Sequence, residues 1–190
     1  MFNAIEVRNK AIQTAKQVIL AQPLFLDTET TGLNQADEII EISVVDTSGE
    51  TLVDTFVRPS KPIPADAMAI HGINDAMVLD ARPWPEVWLR IRPLLSGKLF
   101  VAYNADFDLR MMRQSYEQYR LPWRENLQPF DLLKLYSQFR GVWDSSHRSW
   151  KYFSLDEAGK HSGIALPNAH RSLADTLLAR ELLIYISNVT

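Results

Sequence analysis

The sequence predicts a mixed α/β fold, and three observations lead to that class. Two short apolar runs, residues 23–27 (PLFLD) and 98–104 (KLFVAYN), lack the alternation of a half-exposed strand, which is typical of central strands covered on both faces. Residues 38–46 alternate in apolar and polar character and are joined by a Ser-Gly turn to residues 50–59, which predicts an antiparallel hairpin. Helical patterns separate and follow these segments, so we expect a meander followed by β-α units.

The helices are predicted from the spacing of their apolar residues. The chain opens with a helix over about residues 3–20, where Ile5, Ile12 and Ile19 recur close to helical spacing. A proline-marked segment, residues 58–73, then leads to the later elements, which include a short last strand at residues 128–131. The remaining helices are predicted, in order, over residues 85–95, around Leu109, Met112 and Tyr116, from the last strand to about residue 139, within residues 154–164 where Gly163 ends the helix, and over residues 172–187.

Length and composition indicate a single globular domain over residues 1–190, with residues 1–21 as an N-terminal helical extension. The chain is 46% hydrophobic and 23% charged, and it contains no run of about 18 apolar residues that could cross a membrane. It has no cysteine, which excludes disulfides, thiolate metal sites and a cysteine nucleophile. The N-terminus lacks the apolar region of a signal peptide, so we expect a cytoplasmic protein. The net charge of −3 argues against a large non-specific coat of nucleic acid but is compatible with a local basic groove.

Carboxylates lie where the predicted core strands end. Asp27 and Glu29 follow the first apolar run, and Asp108 lies just beyond the second. Asp131 ends the short last strand, and Asp175 falls in the first turn of the final helix. Ligands of open α/β sheets bind outside the carboxyl ends of the strands. We therefore expect several of these acids, far apart in sequence, to converge at one edge of the sheet.

An acid cluster of this kind indicates a site for hard cations. Neighbouring carboxylates repel one another and raise each other's pKa, so a cluster that stays ionised needs positive charge. Oxygen ligands without cysteine suit Mg²⁺ or Mn²⁺. In an extended segment, residues i and i+2 face the same side, so Asp27 and Glu29 can bind one ion together. Two such ions about 3.5–4 Å apart form the usual clamp for in-line displacement at phosphorus.

Each of these residues also has a structural interpretation. Residues 27–32 fit a polar turn after a strand, and Asp108 fits a surface position near a helix start. Asp175 ends the pattern Ser-Leu-Ala-Asp that begins at Ser172, which matches a capping box. His170, taken alone, is most often a surface or core histidine. The appearance of all of them in order, at the ends of predicted elements, is what favours a shared site.

Three motifs in this order resemble those of the DEDDh 3′-to-5′ exonucleases, a family that includes the proofreading subunit of bacterial replicative polymerase. They are FLDTETTGL at residues 25–33, YNADFD at residues 103–108 and HRSLAD at residues 170–175. The stretches PIPADAMAIHGIND at residues 62–75 and FSLDEAGKHSGI at residues 153–164 also resemble the family. The similarity covers residues 23–187 in the right order, which makes it a specific signal.

The resemblance implies a ribonuclease-H-like fold, in which helices flank a mixed five-stranded sheet made of an antiparallel meander followed by parallel strands. It implies two divalent cations, Mg²⁺ or Mn²⁺, one held by Asp27, Glu29 and Asp175 and the other by Asp27 and Asp108. His170 would take the proton of the attacking water. The implied contacts to the 3′-terminal nucleotide are Thr30, Leu33, His71, Gly72 and Ile73, with Asn104 and Phe107 supporting the site beside Asp108.

The chain departs from the family pattern at several positions. Many relatives carry a histidine where Tyr103 stands, at a position without a catalytic role in the pattern. Asp106 competes with Asp108 for the third acidic position, and Asp108 is favoured because the family acid follows a phenylalanine. Asp131 is assigned no catalytic role. No polymerase-binding tail or clamp-binding peptide is recognised, so a polymerase partner has no support from the sequence itself.

The segment at residues 140–153, RGVWDSSHRSWKYF, combines aromatic and basic side chains. Aromatic rings stack on bases and cations bind phosphates, so the segment is compatible with nucleic-acid contact. The alternative is that the aromatic residues pack a loop onto the domain, and that interpretation is favoured for Trp143 and Trp150. Arg148 and Lys151 fit either interpretation.

The sequence therefore predicts a metal-dependent 3′-to-5′ exonuclease that releases nucleoside monophosphates from the free 3′ end of a nucleic acid, with DNA as the expected substrate. The alternatives are an exoribonuclease, a catalytically silent nucleic-acid-binding or scaffold domain of the same fold, and an unrelated phosphohydrolase of small nucleotides. The four motif acids and His170 are all present, which argues against a silent domain. The IHGI stretch at residues 70–73 suits the end of a polymer, which argues against a small-nucleotide hydrolase.

Overall fold

The computed structural model describes residues 3–164 and 170–190 and shows a mixed sheet flanked by helices. The strands of the described chain are β1 (Leu24–Thr30), β2 (Ile39–Val45), β3 (Thr51–Arg58), β4 (Arg82–Pro83), β5 (Leu99–Ala102), β6 (Gln128–Asp131), β7 (Trp143–Asp144) and β8 (Ser149–Trp150). The helices are α1 (Ala4–Leu20), α2 (Ala65–His71), α3 (Asp75–Val78), α4 (Trp84–Leu95), α5 (Ala105–Glu117), α6 (Leu132–Arg140), α7 (Leu155–Ser162) and α8 (Ser172–Asn188). Within these described ranges, no helix combines the length and the apolar character needed to cross a membrane.

The main sheet is mixed, as the sequence predicts, with the strand order β4-β3-β2-β1-β5-β6. Strands β1, β2 and β3 form an antiparallel meander, and β5 and β6 extend it in parallel beside β1. Five strands are predicted but six are found, because the two residues of β4 pair in parallel with the end of β3. So short a strand carries no pattern of apolar residues. The topology places the carboxyl end of β1 beside those of β5 and β6, where the predicted site lies.

Apolar cores lie on both faces of this sheet. On one face, Phe25 of β1 packs with buried residues of α1, α6 and α8. On the other face, Leu24 and Leu26 pack with residues of α4 and α5. Successive residues of β1 are therefore buried on opposite faces, which explains why its apolar run shows no alternation. Strand β5 repeats the arrangement, since Phe100 and Val101 belong to opposite cores.

Helix α1 is found where the sequence predicts a helix, and it packs on α6 and α8. Arg8 donates a 2.6 Å hydrogen bond to the Phe139 carbonyl, and its guanidinium carbon lies 3.9 Å from the centroid of the Phe139 ring. The buried residues of the helix are Ala11, Ile12, Ala15 and Val18. The N-terminal helix thus completes the core on the α8 side of the sheet.

Two regions contain elements that the sequence does not predict. The proline-marked segment holds α2, which Gly72 ends in the left-handed conformation with φ 71°. Helix α3 follows the segment and begins at Asn74, which accepts the Met77 N–H. Residues 140–153 hold the two-stranded hairpin of β7 and β8. These elements are too short for helical or strand periodicity to reveal them.

Candidate active site

Strand β1 carries the first two acids within the strand itself. It continues past residue 27, the end of the predicted strand, as far as Thr30. Asp27 and Glu29 therefore face the same side as Phe25, toward the core that α8 covers, and both are half-buried. Thr28, between them, faces the opposite side of the sheet.

Three carboxylates converge at this end of β1. Asp27, Glu29 and Asp175 each offer one oxygen, and these oxygens all lie within 4.8 Å of one another. Asp175 reaches the group from the first turn of α8. The spacing fits one divalent cation, because oxygen ligands about 2.0–2.6 Å from an ion are separated by up to about 5 Å. The described part of the chain therefore contains a candidate metal centre at the predicted edge of the sheet.

Burial and mutual repulsion raise the pKa values of the clustered acids. Burial raises the pKa of Glu29 to about 8, and the charges of Asp175 and Glu41 add to the effect. Burial, followed by the charge of Asp108, raises the pKa of Asp27 well above its ordinary range. Burial also raises the pKa of Asp175. A cation among these oxygens stabilises the ionised forms of the three acids. The raised pKa values and the spacing of the oxygens therefore both fit a bound divalent ion.

Asp108 contacts β1 through Thr28, the residue between Asp27 and Glu29. It is in the first turn of α5, is only 2% exposed, and accepts a 2.8 Å hydrogen bond from the Thr28 hydroxyl. Burial raises its pKa to about 7 despite that hydrogen bond. Among the described residues, it does not join the group whose oxygens meet within 4.8 Å. Its charge nevertheless acts on Asp27, so Asp108 belongs to the same electrostatic site.

Asp106, the other candidate for the third acidic position, lies in a different environment from Asp108. The Asp106 side chain is 70% exposed, and its Oδ2 accepts a 2.5 Å hydrogen bond from Lys134 Nζ. Lys134 Nζ also lies 3.1 Å from Asp131 Oδ2, while Asp131 Oδ1 accepts the Lys134 N–H at the start of α6. Asp106 and Asp131 therefore take part in a surface ion-pair group and a helix cap rather than in the carboxylate cluster.

His170 stands in a bend directly before α8, as the sequence predicts. Its backbone is left-handed, with φ 65°, its side chain is exposed, and its N–H donates a 3.3 Å hydrogen bond to Asp175 Oδ2. Over residues 3–164 and 170–190, no imidazole nitrogen joins the group of clustered carboxylates. The structure thus places His170 beside Asp175 through its backbone.

The start of α8 differs from the predicted capping box. The N-cap residue is Arg171, which makes no side-chain cap, and Ser172 is the first helical residue. The Ser172 hydroxyl oxygen lies 2.7 Å from that of Ser43 in β2, because the helix start is buried against the sheet. Asp175 does accept a backbone N–H, as an acid in a capping box would, but the donor is His170 outside the helix.

Glu41 belongs to the site region, although the sequence analysis does not select it. It lies opposite Glu29 in the antiparallel register of β1 and β2, and its side chain is 3% exposed. Its carboxylate accepts hydrogen bonds from Nε and Nη2 of Arg171, at 3.1 and 2.5 Å, and from the Ser172 N–H at 2.9 Å. An alternating strand ordinarily exposes its polar face, but β2 is buried along its whole length. The one sequence signal for this contact is the arginine between His170 and Asp175.

A cavity of about 490 Å³ adjoins the carboxylates. Glu29 is in its wall, together with four of the residues predicted to contact or support the substrate, namely Thr30, Leu33, His71 and Phe107. The volume lies within the range of small-molecule sites in proteins, about 300–1,000 Å³. The arrangement can therefore hold a ligand of nucleotide size next to the candidate metal centre.

Three other predicted substrate residues are not in the wall of this cavity. Gly72 ends α2, and Asn104 precedes α5 in the left-handed conformation with φ 74°. Ile73 is fully buried, and its N–H donates a 3.0 Å hydrogen bond to His71 Nδ1. Ile73 therefore orients the His71 ring from behind the cavity wall, while Gly72 and Asn104 shape the backbone.

Comparisons with known proteins agree with this geometry. The family model described as exonuclease matches residues 24–183. The uncharacterized exonuclease CP81 of Escherichia phage 186 is 38% identical over 169 residues, which cover 86% of this chain and 87% of the phage protein. A PolC-type DNA polymerase III of Caldanaerobacter subterraneus subsp. tengcongensis is 31% identical over 83% of this chain, but the match spans only 11% of that polymerase.

Solved structures share the fold. Exonuclease X in complex with 5′-overhanging duplex DNA is 31% identical, with a TM-score of 0.65, and the match covers 87% of this chain and 90% of that chain. The nuclease domain of 3′hExo, described as a DEDDh family member bound to rAMP, is 17% identical with a TM-score of 0.66 over 85% of this chain and 88% of that chain. The second likeness is one of fold alone.

Proposed function

The chain belongs to the exonuclease family whose model matches residues 24–183, and from this premise we propose that it is a metal-dependent 3′-to-5′ exonuclease of DNA. The observation that carries the proposal is the meeting of Asp27, Glu29 and Asp175 beside a cavity of nucleotide size. A single terminal nucleotide can enter such a cavity while the rest of the strand leaves the carboxylates on another side. The products are then nucleoside monophosphates released one at a time.

Two divalent cations, Mg²⁺ or Mn²⁺, are the proposed cofactors. Asp27, Glu29 and Asp175 hold one of them in this proposal, and Asp27 and Asp108 hold the other. Such ions, when bound, stabilise charge on the scissile phosphate and lower the pKa of a coordinated water. The Thr28 hydroxyl donates to one oxygen of Asp108 and so holds that carboxylate beside β1.

The cavity residues are proposed to hold the terminal nucleotide. His71 Nδ1 accepts the Ile73 N–H, so the proton of the neutral ring is on Nε2. Burial lowers the pKa of His71, which favours that neutral form. The ring is therefore a donor in a fixed orientation, while Leu33 and Phe107 offer apolar surface to a base or sugar.

His170 is the proposed general base. An imidazole accepts a proton near neutral pH, which suits the activation of a water molecule. The His170 backbone is tied to Asp175 and its side chain is exposed, so the imidazole can reach water at the mouth of the site. Asp175 stays in place as a carboxylate ligand when the His170 side chain turns toward that water, because Asp175 is part of α8.

DNA is the proposed substrate because of the relatives. One of them is named a DNA polymerase, and Exonuclease X was solved with duplex DNA. A protein distinguishes RNA through its 2′-OH, so an RNA substrate is the alternative that a direct test must separate. A cytoplasmic location stays a prediction from the sequence, and a polymerase partner stays a proposal that rests on the names of longer relatives.

The direct test uses linear oligonucleotides of single-stranded DNA, duplex DNA and RNA, each labelled at the 5′ or the 3′ end, with Mg²⁺ or Mn²⁺. The expected result is a ladder of shortening products from 5′-labelled DNA and an early release of label from the 3′ end. Circular DNA is the control substrate. Cleavage that continues in excess chelator, or circles that are cut as fast as linear strands, would contradict the proposal.

A further inference from the structure

Residues 140–152, which we call the basic hairpin, carry exposed cations. Strands β7 and β8 pair Trp143 with Trp150, and the two rings meet edge to face with centroids 5.3 Å apart. The Lys151 N–H donates a 2.8 Å hydrogen bond to the Val142 carbonyl and extends the pairing. The two tryptophans thus pack on each other across the hairpin.

The carboxylate of the hairpin, Asp144, accepts hydrogen bonds from residues of the turn between β7 and β8. Asp144 accepts hydrogen bonds from the Ser146 hydroxyl at 2.5 Å, from His147 Nδ1 at 2.8 Å and from the Ser146 N–H at 2.9 Å. These contacts hold the pKa of Asp144 well below its ordinary range, so the carboxylate is ionised and turned toward the turn residues. Arg148 follows in the left-handed conformation, with φ 52° and an exposed side chain.

Three cations of the segment are not engaged in ion pairs with the described part of the chain. Arg140, Arg148 and Lys151 are exposed, and none takes part in an ion pair found within residues 3–164 and 170–190. Arg140 and Lys151 lie 5.6 and 5.2 Å from the centroid of the Phe153 ring, which orders their side chains. Tyr152, beside Lys151, is 55% exposed. The surface therefore offers ordered positive charge next to an exposed aromatic ring.

The base of the hairpin is attached to the edge of the sheet that holds the carboxylates. The Tyr103 hydroxyl, one residue beyond β5, donates a 2.8 Å hydrogen bond to the Phe153 carbonyl. Lys151 is two residues from Phe153, so its Cα lies within about 7 Å of that anchor. Asp156, in the first turn of the helix that follows, acts electrostatically on Asp175. The cavity of the site is formed instead by the loop after β1, by α2 and by Phe107.

These positions suit the part of the substrate that lies outside the cavity. The whole chain has a net charge of −3, and the site itself is acidic, so a polyanion needs local cations near the site to bind. Resting on the proposed exonuclease function, we propose that the basic hairpin binds the single-stranded nucleic acid just upstream of its 3′-terminal nucleotide. Arg148 and Lys151 contact phosphates, and Tyr152 stacks on a base.

The test compares two variants that each lose two exposed cations. Arg148→Gln with Lys151→Gln alters the hairpin, and Arg90→Gln with Lys98→Gln is the matched control on α4 and at the amino end of β5. The substrates are a single-stranded DNA of about 20 nucleotides, which can span site and hairpin, and the p-nitrophenyl ester of thymidine 5′-monophosphate, which reaches only the site. Each variant is first checked for an unchanged melting temperature.

The hairpin variant is expected to raise KM for the oligonucleotide by about tenfold or more and to reduce the slope of log affinity against log salt by about 1.4, which is 0.7 for each lost phosphate contact. Its turnover of the ester should match wild type, and the control variant should match wild type on both substrates. Equal KM and equal salt slope in all three proteins would overturn the hairpin proposal while leaving the exonuclease proposal intact. A wild-type protein that cleaves neither the oligonucleotide nor the ester would overturn the exonuclease proposal instead.

Tyr152 supplies an independent test of stacking. Tyr152→Ala is expected to raise KM for the oligonucleotide by about tenfold, while Tyr152→Phe keeps the ring and should restore the wild-type value. An oligonucleotide with abasic positions upstream of the 3′ end should remove the difference between the two variants. A Tyr152→Ala protein that binds both oligonucleotides as wild type does would show that the ring makes no contact with bases.

Discussion

Arg171 and Glu41 form an ion pair that ties the start of α8 to the centre of the sheet, with two guanidinium nitrogens donating to one buried carboxylate. His170 directly precedes Arg171, and Asp175 follows it by one helical turn. The Ser172 N–H donates to the same carboxylate and adds a third contact. One acid of β2, which is not in the wall of the cavity, thus positions both the proposed base and a proposed metal ligand.

Arg171→Lys is expected to lower kcat by about 10–100-fold with little change in KM, because lysine keeps the charge but lacks the planar fork, and a small displacement of the proposed base costs rate. Kinetics on a labelled oligonucleotide measure the two constants separately. Arg113→Lys is the matched control, since Arg113 forms an exposed pair with Glu117 on α5 and such pairs contribute about 0–1 kcal/mol. Wild-type kcat in Arg171→Lys would limit the pair to a structural role.

The apo protein should become less stable as pH rises from about 5 to 9. The pKa of Glu29 is raised from 4.5 to about 8 and that of Asp108 from 3.8 to about 7, mainly by burial. A raised pKa favours the neutral acid in the folded state, so this stability is complete below about pH 4 and is lost as pH passes 7 and 8. Thermal melts in excess chelator test the trend, and Glu29→Gln should flatten it. A melting temperature that climbs from pH 5 to pH 9 would contradict the assignment.

Asp27→Asn should abolish exonuclease activity and stabilise the apo protein at pH 8. The pKa of Asp27 is raised by burial and then by the charge of Asp108, so a neutral amide of the same shape relieves repulsion. For a domain of this size, each kcal/mol relieved raises the melting temperature by about 2–4 °C. Melts in chelator and in Mg²⁺ separate the two effects. A fall of many degrees in chelator would show a structural role for Asp27.

His170→Asn is expected to lower kcat by about 10²–10⁴-fold while metal and substrate binding are retained. Asparagine suits this position because it tolerates the left-handed conformation that His170 adopts, with φ 65°. The backbone N–H still reaches Asp175, so the substitution removes the imidazole alone. Single-turnover rates from pH 6 to 9 should lose their acid limb, and Mn²⁺ titration should be unchanged. Retention of that limb would assign the proton transfer to another group.

Asp108→Asn and Asp106→Asn should differ sharply although the two acids are two residues apart. Asp108 is buried and bonded to Thr28, and an amide can keep that hydrogen bond while losing the negative charge. Asp106 is exposed in an ion pair with Lys134, which contributes about 0–1 kcal/mol. Activity is expected to vanish in the first variant and to stay near wild type in the second. The reverse order would show that Asp106 is the motif acid.

The sequence predicts the parts of this fold that rest on long or doubly buried patterns. The runs around Phe25 and Phe100 predict central strands because side chains on both faces are covered. The sequence does not predict strand β4 or helix α3, because each is too short to show a pattern of apolar residues. The sequence does not select Glu41 for another reason. Its contact with Arg171 joins residues 130 positions apart and depends on which elements cover β2. Motif spacing selects the acids, but only packing shows which of them meet.

Thr28 links the strand that carries two of the acids to the helix that carries a third. Its hydroxyl donates a 2.8 Å hydrogen bond to Asp108, and its neighbours in the strand are Asp27 and Glu29. Asp108 of α5 is therefore held against the same strand that carries Asp27 and Glu29, so the position of α5 relative to β1 sets the spacing of the two proposed ions.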